Sequence, residues 1–167
     1  NNSLKNVARV VYTPHEVEGG GRPLNKLERD IEDSLLGLGY GRIETDGKAD
    51  HLLIPWMKGS GSAGLFKRGL RFGTTLAGRP KITDFVISTN AQPVLIEAKE
   101  QTSRGTAYEK VPFAIQNLQA TGMPWALIYD GERIPERLMD DQRRKTKLDP
   151  NCYGIMRFEH FENFVRS

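Results

Sequence analysis

Apolar residues recur every three or four positions early in the chain. Leu24, Leu27, Ile31, Leu35 and Leu38 make one stripe, which predicts a helix over Pro23–Leu38. Pro23 suits the first turn, and Gly39 can stop the helix. A row of three apolar residues, Leu52, Leu53 and Ile54, predicts a strand over Asp50–Trp56. Ile82–Ser88 and Val94–Lys99 predict two more strands, separated by the turn-like group Asn90-Ala91-Gln92-Pro93. Thr106–Thr121 reads as helical in its later part, where Val111, Ala114, Ile115 and Leu118 share one side. Thr106 and Glu109 suit a capping box there, while Pro112 leaves the start of the helix open. Trp125–Tyr129 predicts a fourth strand, ended by Asp130-Gly131. The stretch Gly59–Gly78 is rich in Gly, Ser and Thr and predicts long turns or a mobile hairpin. Helix, three strands, helix, strand is the order of an α/β sandwich with a mixed sheet.

The chain has 167 residues, which suits one domain with a real core. No run of about 18 apolar residues suggests a membrane span, and no charged-then-apolar leader opens the sequence. The single cysteine, Cys152, excludes a disulfide framework within the chain and a Cys-rich zinc site; it fits a reducing, cytoplasmic compartment. His15, His51 and His160 lie far apart and have no metal-ligand spacing.

Charge changes the picture through its distribution. The net charge is only +3. Yet from His51 to Thr83 there is no Asp or Glu, while Lys58, Lys67, Arg68, Arg71, Arg79 and Lys81 all fall there. Such a stretch suits phosphate contacts, and it equally suits a solvated loop. A second basic cluster runs Arg143, Arg144, Lys145, Lys147. Gly59-Ser60-Gly61-Ser62-Ala63-Gly64 matches a dinucleotide-binding glycine pattern, but no convincing helix follows it to receive a phosphate. Trp56 and Trp125 read as core or interface residues.

The paired strands carry the candidate chemistry. Side chains alternate along a strand, so Phe85 and Ile87 point away from the face of Asp84, and Ile96 and Ala98 away from that of Glu97 and Lys99. If Thr89–Gln92 is the connection, Ser88 pairs with Pro93, and counting back sets Asp84 opposite Glu97, with Cβ atoms about 5 Å apart. Two charges so close repel by about 3 kcal/mol at an effective dielectric near 20. A divalent cation compensates this best, and carboxylate oxygens suit Mg²⁺. Lys99, facing the same way, adds a positive charge able to orient a water or stabilise charge on a phosphate. This pattern points to metal-assisted phosphodiester hydrolysis; the same residues also suit a half-exposed hairpin with a surface Glu–Lys pair.

Asp84 within Pro80-Lys81-Ile82-Thr83-Asp84, followed by Val94-Leu95-Ile96-Glu97-Ala98-Lys99-Glu100-Gln101, resembles the PD-(D/E)xK nuclease superfamily, and within it the type II restriction endonucleases. Gly105–Phe113 also resembles a segment that follows the Glu-Ala-Lys strand in some of these enzymes. By element order the resemblance spans Leu24 to Tyr129. It implies a restriction-endonuclease-like α/β fold, a mixed central sheet flanked by helices, Mg²⁺ dependence and cleavage of double-stranded DNA. It further implies that Asp84 and Glu97 are metal ligands, with the Ala98 carbonyl contributing, and that Lys99 is the catalytic lysine. The usual Pro before the Asp is replaced by Thr83. Glu28 lies at the edge of the helical stripe, about 40° from Leu24 at about 100° per residue. Many relatives use an acid from this helix, though a border residue reaching solvent fits as well. Gln101 suits the positioning of a water or phosphate, or a solvated strand end.

The expectation is therefore a single nuclease domain over 1–167, with a basic Gly-rich insertion at about 57–81. It would be a Mg²⁺-dependent DNA endonuclease, in prokaryotic or phage-type intracellular settings, working as a homodimer because one site contacts one strand. Lys58, Lys67, Arg68, Arg71, Arg79, Lys81 and Arg104 would touch phosphates or bases. Within the fold the alternative is a structure-specific repair or recombination nuclease. In another class it is a non-catalytic DNA-binding module.

Overall fold

In the computed structural model, helix α1 (Lys26–Gly37) carries the predicted stripe, with Leu27, Ile31 and Leu35 fully buried. The described residues are 9–11, 23–44, 50–59, 63–75, 77–89, 92–101 and 105–167. Pro23 lies ahead of the helix. The start is set by Asn25, whose side chain accepts from the Glu28 N–H at 2.8 Å while the Glu28 carboxylate accepts from the Asn25 N–H at 3.0 Å. This reciprocal box satisfies two helix-end donors. Gly39, at φ +85, closes the other end. Its N–H reaches the Leu36 carbonyl, and that of Tyr40 reaches Leu35, which is the left-handed stop that glycine favours.

Among the described residues one sheet holds seven strands in chain order: β1 (Arg9–Val11), β2 (Gly41–Glu44), β3 (Leu65–Thr74), β4 (Pro80–Ser88), β5 (Pro93–Glu100), β6 (Trp125–Asp130) and β7 (Cys152–Arg157). The pairs β1/β2, β3/β4 and β4/β5 are antiparallel; β2/β3, β5/β6 and β6/β7 are parallel. The parallel connections run through α2 (Asp50–Gly59), α3 (Ala107–Gln119) and α4 (Glu136–Lys145). All three step the same way across the sheet, so right-handed crossovers lay these helices on one face. Leu53, Ile54, Met57, Val111, Ile115, Leu118, Leu138 and Met139 form that layer, over Val86, Leu95 and Leu127. The other face carries α1 and the short α5 (Phe161–Arg166), packed on Phe66, Phe85, Ile87, Ile96 and Ala98. The chain is thus an α/β sandwich with a mixed central sheet and the restriction-endonuclease-like fold.

Several local expectations need correcting. Asp50–Trp56 is helix, not strand. Its buried residues Asp50, Leu53, Ile54 and Met57 follow helical spacing, while Leu52 is exposed and Pro55 sits on the solvent side. The stretch expected to form turns or a mobile hairpin contains β3, an inner strand. Gly69 and Gly73, at φ +62 and +66, bend that strand and break its alternation. Thr106 precedes α3 but makes no side-chain cap bond, so the expected capping box is absent. A strand, not a helix, follows Gly64, as the rejection of a dinucleotide site required. Trp125 is fully buried in the core.

Candidate active site

The β4/β5 ladder begins at Ser88↔Pro93, the predicted register, and runs to Phe85↔Ile96. Beyond that the strands part. β4 stays on β3 as far as Pro80, whereas β5 stays on β6 as far as Glu100. Asp84 stands at this fork, and its Oδ2 accepts the Ala98 N–H at 2.8 Å. One carboxylate thus replaces the next rung of the ladder. Thr83 is fully buried and donates to the Leu70 carbonyl at 3.4 Å.

Glu97 follows on β5 and is only 8% exposed. Its Oε1 accepts from Lys99 Nζ at 2.9 Å; its Oε2 is buried with no hydrogen-bond partner. A buried acceptor left unpaired costs about 1–3 kcal/mol, so this oxygen fits a group that the protein does not itself supply. Burial first, and then the Glu97 charge, push the Asp84 carboxyl up to about 7, against the pull of the Ala98 N–H and Lys99; Glu28 adds to the push. Burial pulls the Lys99 ammonium down, but Glu97, by charge and hydrogen bond, with Asp84 and Glu28, lifts it above the ordinary lysine value. Lys99 is therefore held as a cation near neutrality.

Glu28 faces inward as its position on the stripe allowed. It is 2% exposed, and its charge acts on both Asp84 and Lys99. Gln101 ends the β5 segment, with its N–H on the Asp130 carbonyl at 3.2 Å and its own carbonyl accepting from Arg133 at 3.3 Å. Among the described residues no cluster of three or more His, Cys, Asp or Glu side chains has metal-holding geometry. Two carboxylates at the fork, one with a free inward oxygen, nonetheless fit a hard cation that keeps most of its water, as Mg²⁺ does.

The cations of the acid-free stretch fall into two groups. Lys58, Arg71 and Arg79 are exposed. Lys67 is buried, 3.4 Å from the Asp50 carboxylate, and Arg68 pairs with Glu32 at 2.9 Å. Glu32 also holds Arg42 at 3.1 Å. Acids from α1 and α2 thus neutralise charges that look uncompensated along the chain. Lys81 is buried as well, and Arg104 lies outside the described residues. In the second basic cluster Arg143 pairs with Asp140, while Arg144 and Lys145 pair with Asp141.

The profile of the PD-(D/E)XK nuclease superfamily domain matches residues 22–162, most of the chain. The chain belongs to this superfamily. This PD-(D/E)XK nuclease domain sets the acid of its first helix, the Asp of β4 and the Glu-x-Lys of β5 around one fork. No curated protein and no solved structure matches it. Among the described residues no helix is long and apolar enough to cross a membrane.

Two features of the domain escaped the sequence reading. Gly69 lies across β3/β4 from Asp84, between the paired residues Arg68↔Phe85 and Leu70↔Thr83; a lone glycine within an apolar-cationic run was its signal. Gly131 has φ +107, and a Cβ there would stand 2.2 Å from the Gln101 carbonyl oxygen. Gly131→Ala is therefore expected to shift Gln101 and to lower stability by about 2–4 kcal/mol, combining left-handed strain with a backbone clash. Thermal melting checks this, with a fall of roughly 5–15 °C expected.

Proposed function

We propose that this domain is a Mg²⁺-dependent endodeoxyribonuclease that hydrolyses phosphodiester bonds of double-stranded DNA, of the sequence-specific restriction type, and acts as a homodimer. The observation that carries the reading is the buried, unpartnered Oε2 of Glu97 beside an Asp84 carboxyl that its surroundings hold partly protonated. Asp84 and Glu97, with the Ala98 carbonyl, would hold the cation. When bound, it supplies Lewis-acid stabilisation of the phosphate and lowers the pKa of water. Lys99, fixed by Glu97 at 2.9 Å, orients the attacking water and balances the charge that develops on the phosphorus oxygens. Gln101, just past Lys99, positions water or phosphate at the mouth of the fork. Glu28, anchored by the helix cap, adds negative charge on the α1 side and favours the cation.

Lys58, Arg71 and Arg79, all exposed, are offered to DNA phosphates or base edges; Arg104, outside the described residues, joins them by its place in the sequence. Arg is the usual reader of guanine. Lys67 and Arg68 serve the same surface indirectly, because their pairs with Asp50 and Glu32 fix the hairpin that presents Arg71 and Arg79. A cut on both strands is met most simply by two copies of the site, hence the homodimer.

Supercoiled plasmid incubated with Mg²⁺, and in parallel with EDTA, tests the proposal. Discrete linear fragments with Mg²⁺ and none with EDTA are expected. Cleavage confined to branched or flapped substrates would reassign the domain to repair or recombination. Equal cutting in EDTA, or tight DNA binding with no cutting of any substrate, would overturn the reading.

A further inference from the structure

The β4/β5 ladder ends at Phe85, and β2 pairs with β3 only at Leu65 and Phe66. Among the described residues, β3 beyond Arg68 and β4 before Phe85 therefore pair only with each other, as a two-stranded ribbon that runs past the fork to Thr74↔Pro80. Helix α2 backs this ribbon. The buried Asp50 carboxylate accepts the Arg71 N–H at 3.0 Å, and Leu70 joins the core layer of Leu53, Ile54 and Met57. On β4, Lys81 and Thr83 are buried. Ile82 and Asp84 alternate with them and share the other face. Ile82 is 53% exposed there, and Asp84 is half-buried.

Arg71, also exposed, is the cross-strand partner of Ile82. Residues directly opposite in a ladder lie side by side on one face. Gly69 stands across from Asp84, and a Cβ there would meet no atom within 4 Å. The face thus carries a carboxylate beside an open glycine, then an isoleucine beside an arginine. A glycine in a strand suits close approach of another backbone. Among the described residues, Ile82 and Tyr153 are the exposed large apolar side chains carried by strands. The Tyr153 hydroxyl accepts from Gln92 Nε2, whereas Ile82 offers apolar surface alone. Arginines can meet phosphates; an isoleucine cannot. The apolar group that the DNA major groove presents is the thymine C5-methyl, and that groove admits a two-stranded ribbon. Ile82 lies about 7 Å from Asp84 along the strand. One DNA strand rises about 3.4 Å per nucleotide, so this reach covers about two base pairs.

We propose that Ile82 is a specificity-determining residue: the β3/β4 ribbon lies in the major groove, and Ile82 packs on the C5-methyl of a thymine within about two base pairs of the scissile phosphate. Arg71 beside it supplies the charge that holds the ribbon against the duplex. This rests on the DNA-cleaving reading above and adds to it the element that reads sequence. The backing by Asp50 and Leu70 fixes the ribbon before DNA arrives, so the contact needs no rearrangement of the core.

A random-sequence duplex library tests this in two ways: sequencing of the ends cut in Mg²⁺, and selection of bound duplexes in Ca²⁺. Both should enrich thymine at one position within about two base pairs of the cut. Replacing that thymine by uracil removes only the methyl group. Wild-type binding should then weaken about threefold to tenfold. Ile82→Ser should lose the thymine preference and bind the two duplexes alike, while Ile82→Val should keep most of it. Leu148→Ala, a control at a side chain 93% exposed elsewhere, should match the wild type. Ile82→Ser should melt within about 4 °C of the wild type, because an exposed position packs little. No thymine preference in that window, or equal sensitivity to uracil in wild type and Ile82→Ser, would overturn the assignment and leave the nuclease intact. An equal loss on every sequence would make Ile82 a non-specific wedge and overturn it too. So would a deep fall in melting temperature with wild-type base preference per folded molecule. If nothing is cut but the selected duplexes still show an Ile82-dependent thymine, the hydrolysis reading fails and the Ile82 contact stands. Absence of DNA binding altogether would overturn both.

Discussion

Glu97→Gln should abolish hydrolysis, by about a thousandfold or more, and at the same time raise the melting temperature of the metal-free protein. The two effects have one cause. Glu97 holds a buried oxygen without a partner and faces Asp84, whose carboxyl it pushes up. The Glu97 charge is buried and acts on Asp84, so each like charge makes the other harder to hold in the fold. An amide removes the charge and keeps the shape. Against this, Lys99 loses its anionic partner, but its side chain is 30% exposed and water screens the loss. The balance is a gain of about 1 kcal/mol, or roughly 2–4 °C for a domain of this size. Nicking assays and metal-free melts on the same preparation decide the matter. A variant that melts lower and still cuts would identify Glu97 as a structural strut.

The second large effect is on pH. An ordinary Asp releases its proton near 3.8, and Asp84 in the fold does so at about 7. Between those values the folded protein holds a proton that the unfolded chain has lost. Stability of the metal-free protein therefore falls as pH rises from about 4 to about 7, by about 1.4 kcal/mol per unit and of the order of 4 kcal/mol in all. A divalent cation competes with that proton. Its affinity must rise through the same window, and the stabilisation it gives must grow with it. Melts at pH 5.5 and pH 8, each with Mg²⁺ and with EDTA, should show a metal-induced shift several degrees larger at pH 8. An equal shift at both pH values would mean that Asp84 does not hold the cation.

How much of this was legible in the sequence depends on distance along the chain. The α1 stripe and the Ser88↔Pro93 register are local, and both were legible. So was the nearness of Asp84, Glu97 and Lys99, since 16 residues span them. The α2 helix was hidden because Leu52, Leu53 and Ile54 stand in a row; only Met57, one turn on, reveals the helical period. β3 was hidden because Gly69 and Gly73 make a bent strand look like a loop. The neutralisation of Lys67 and Arg68 could not be read at all, since Asp50 and Glu32 approach them only once α1, α2 and the sheet have assembled.

The sheet's order has a kinetic consequence. Each strand lies beside its neighbour in sequence, so no pairing waits on a distant part of the chain. Short loop closures favour fast folding. During synthesis the sheet can grow one edge at a time, and Asp84, Glu97 and Lys99 are all present once β5 has emerged. Of the strands that follow, β6 lies on β5 and β7 on β6, and neither carries any of these three residues. The fork that gathers these three side chains is thus an early product of folding, and the later strands brace it.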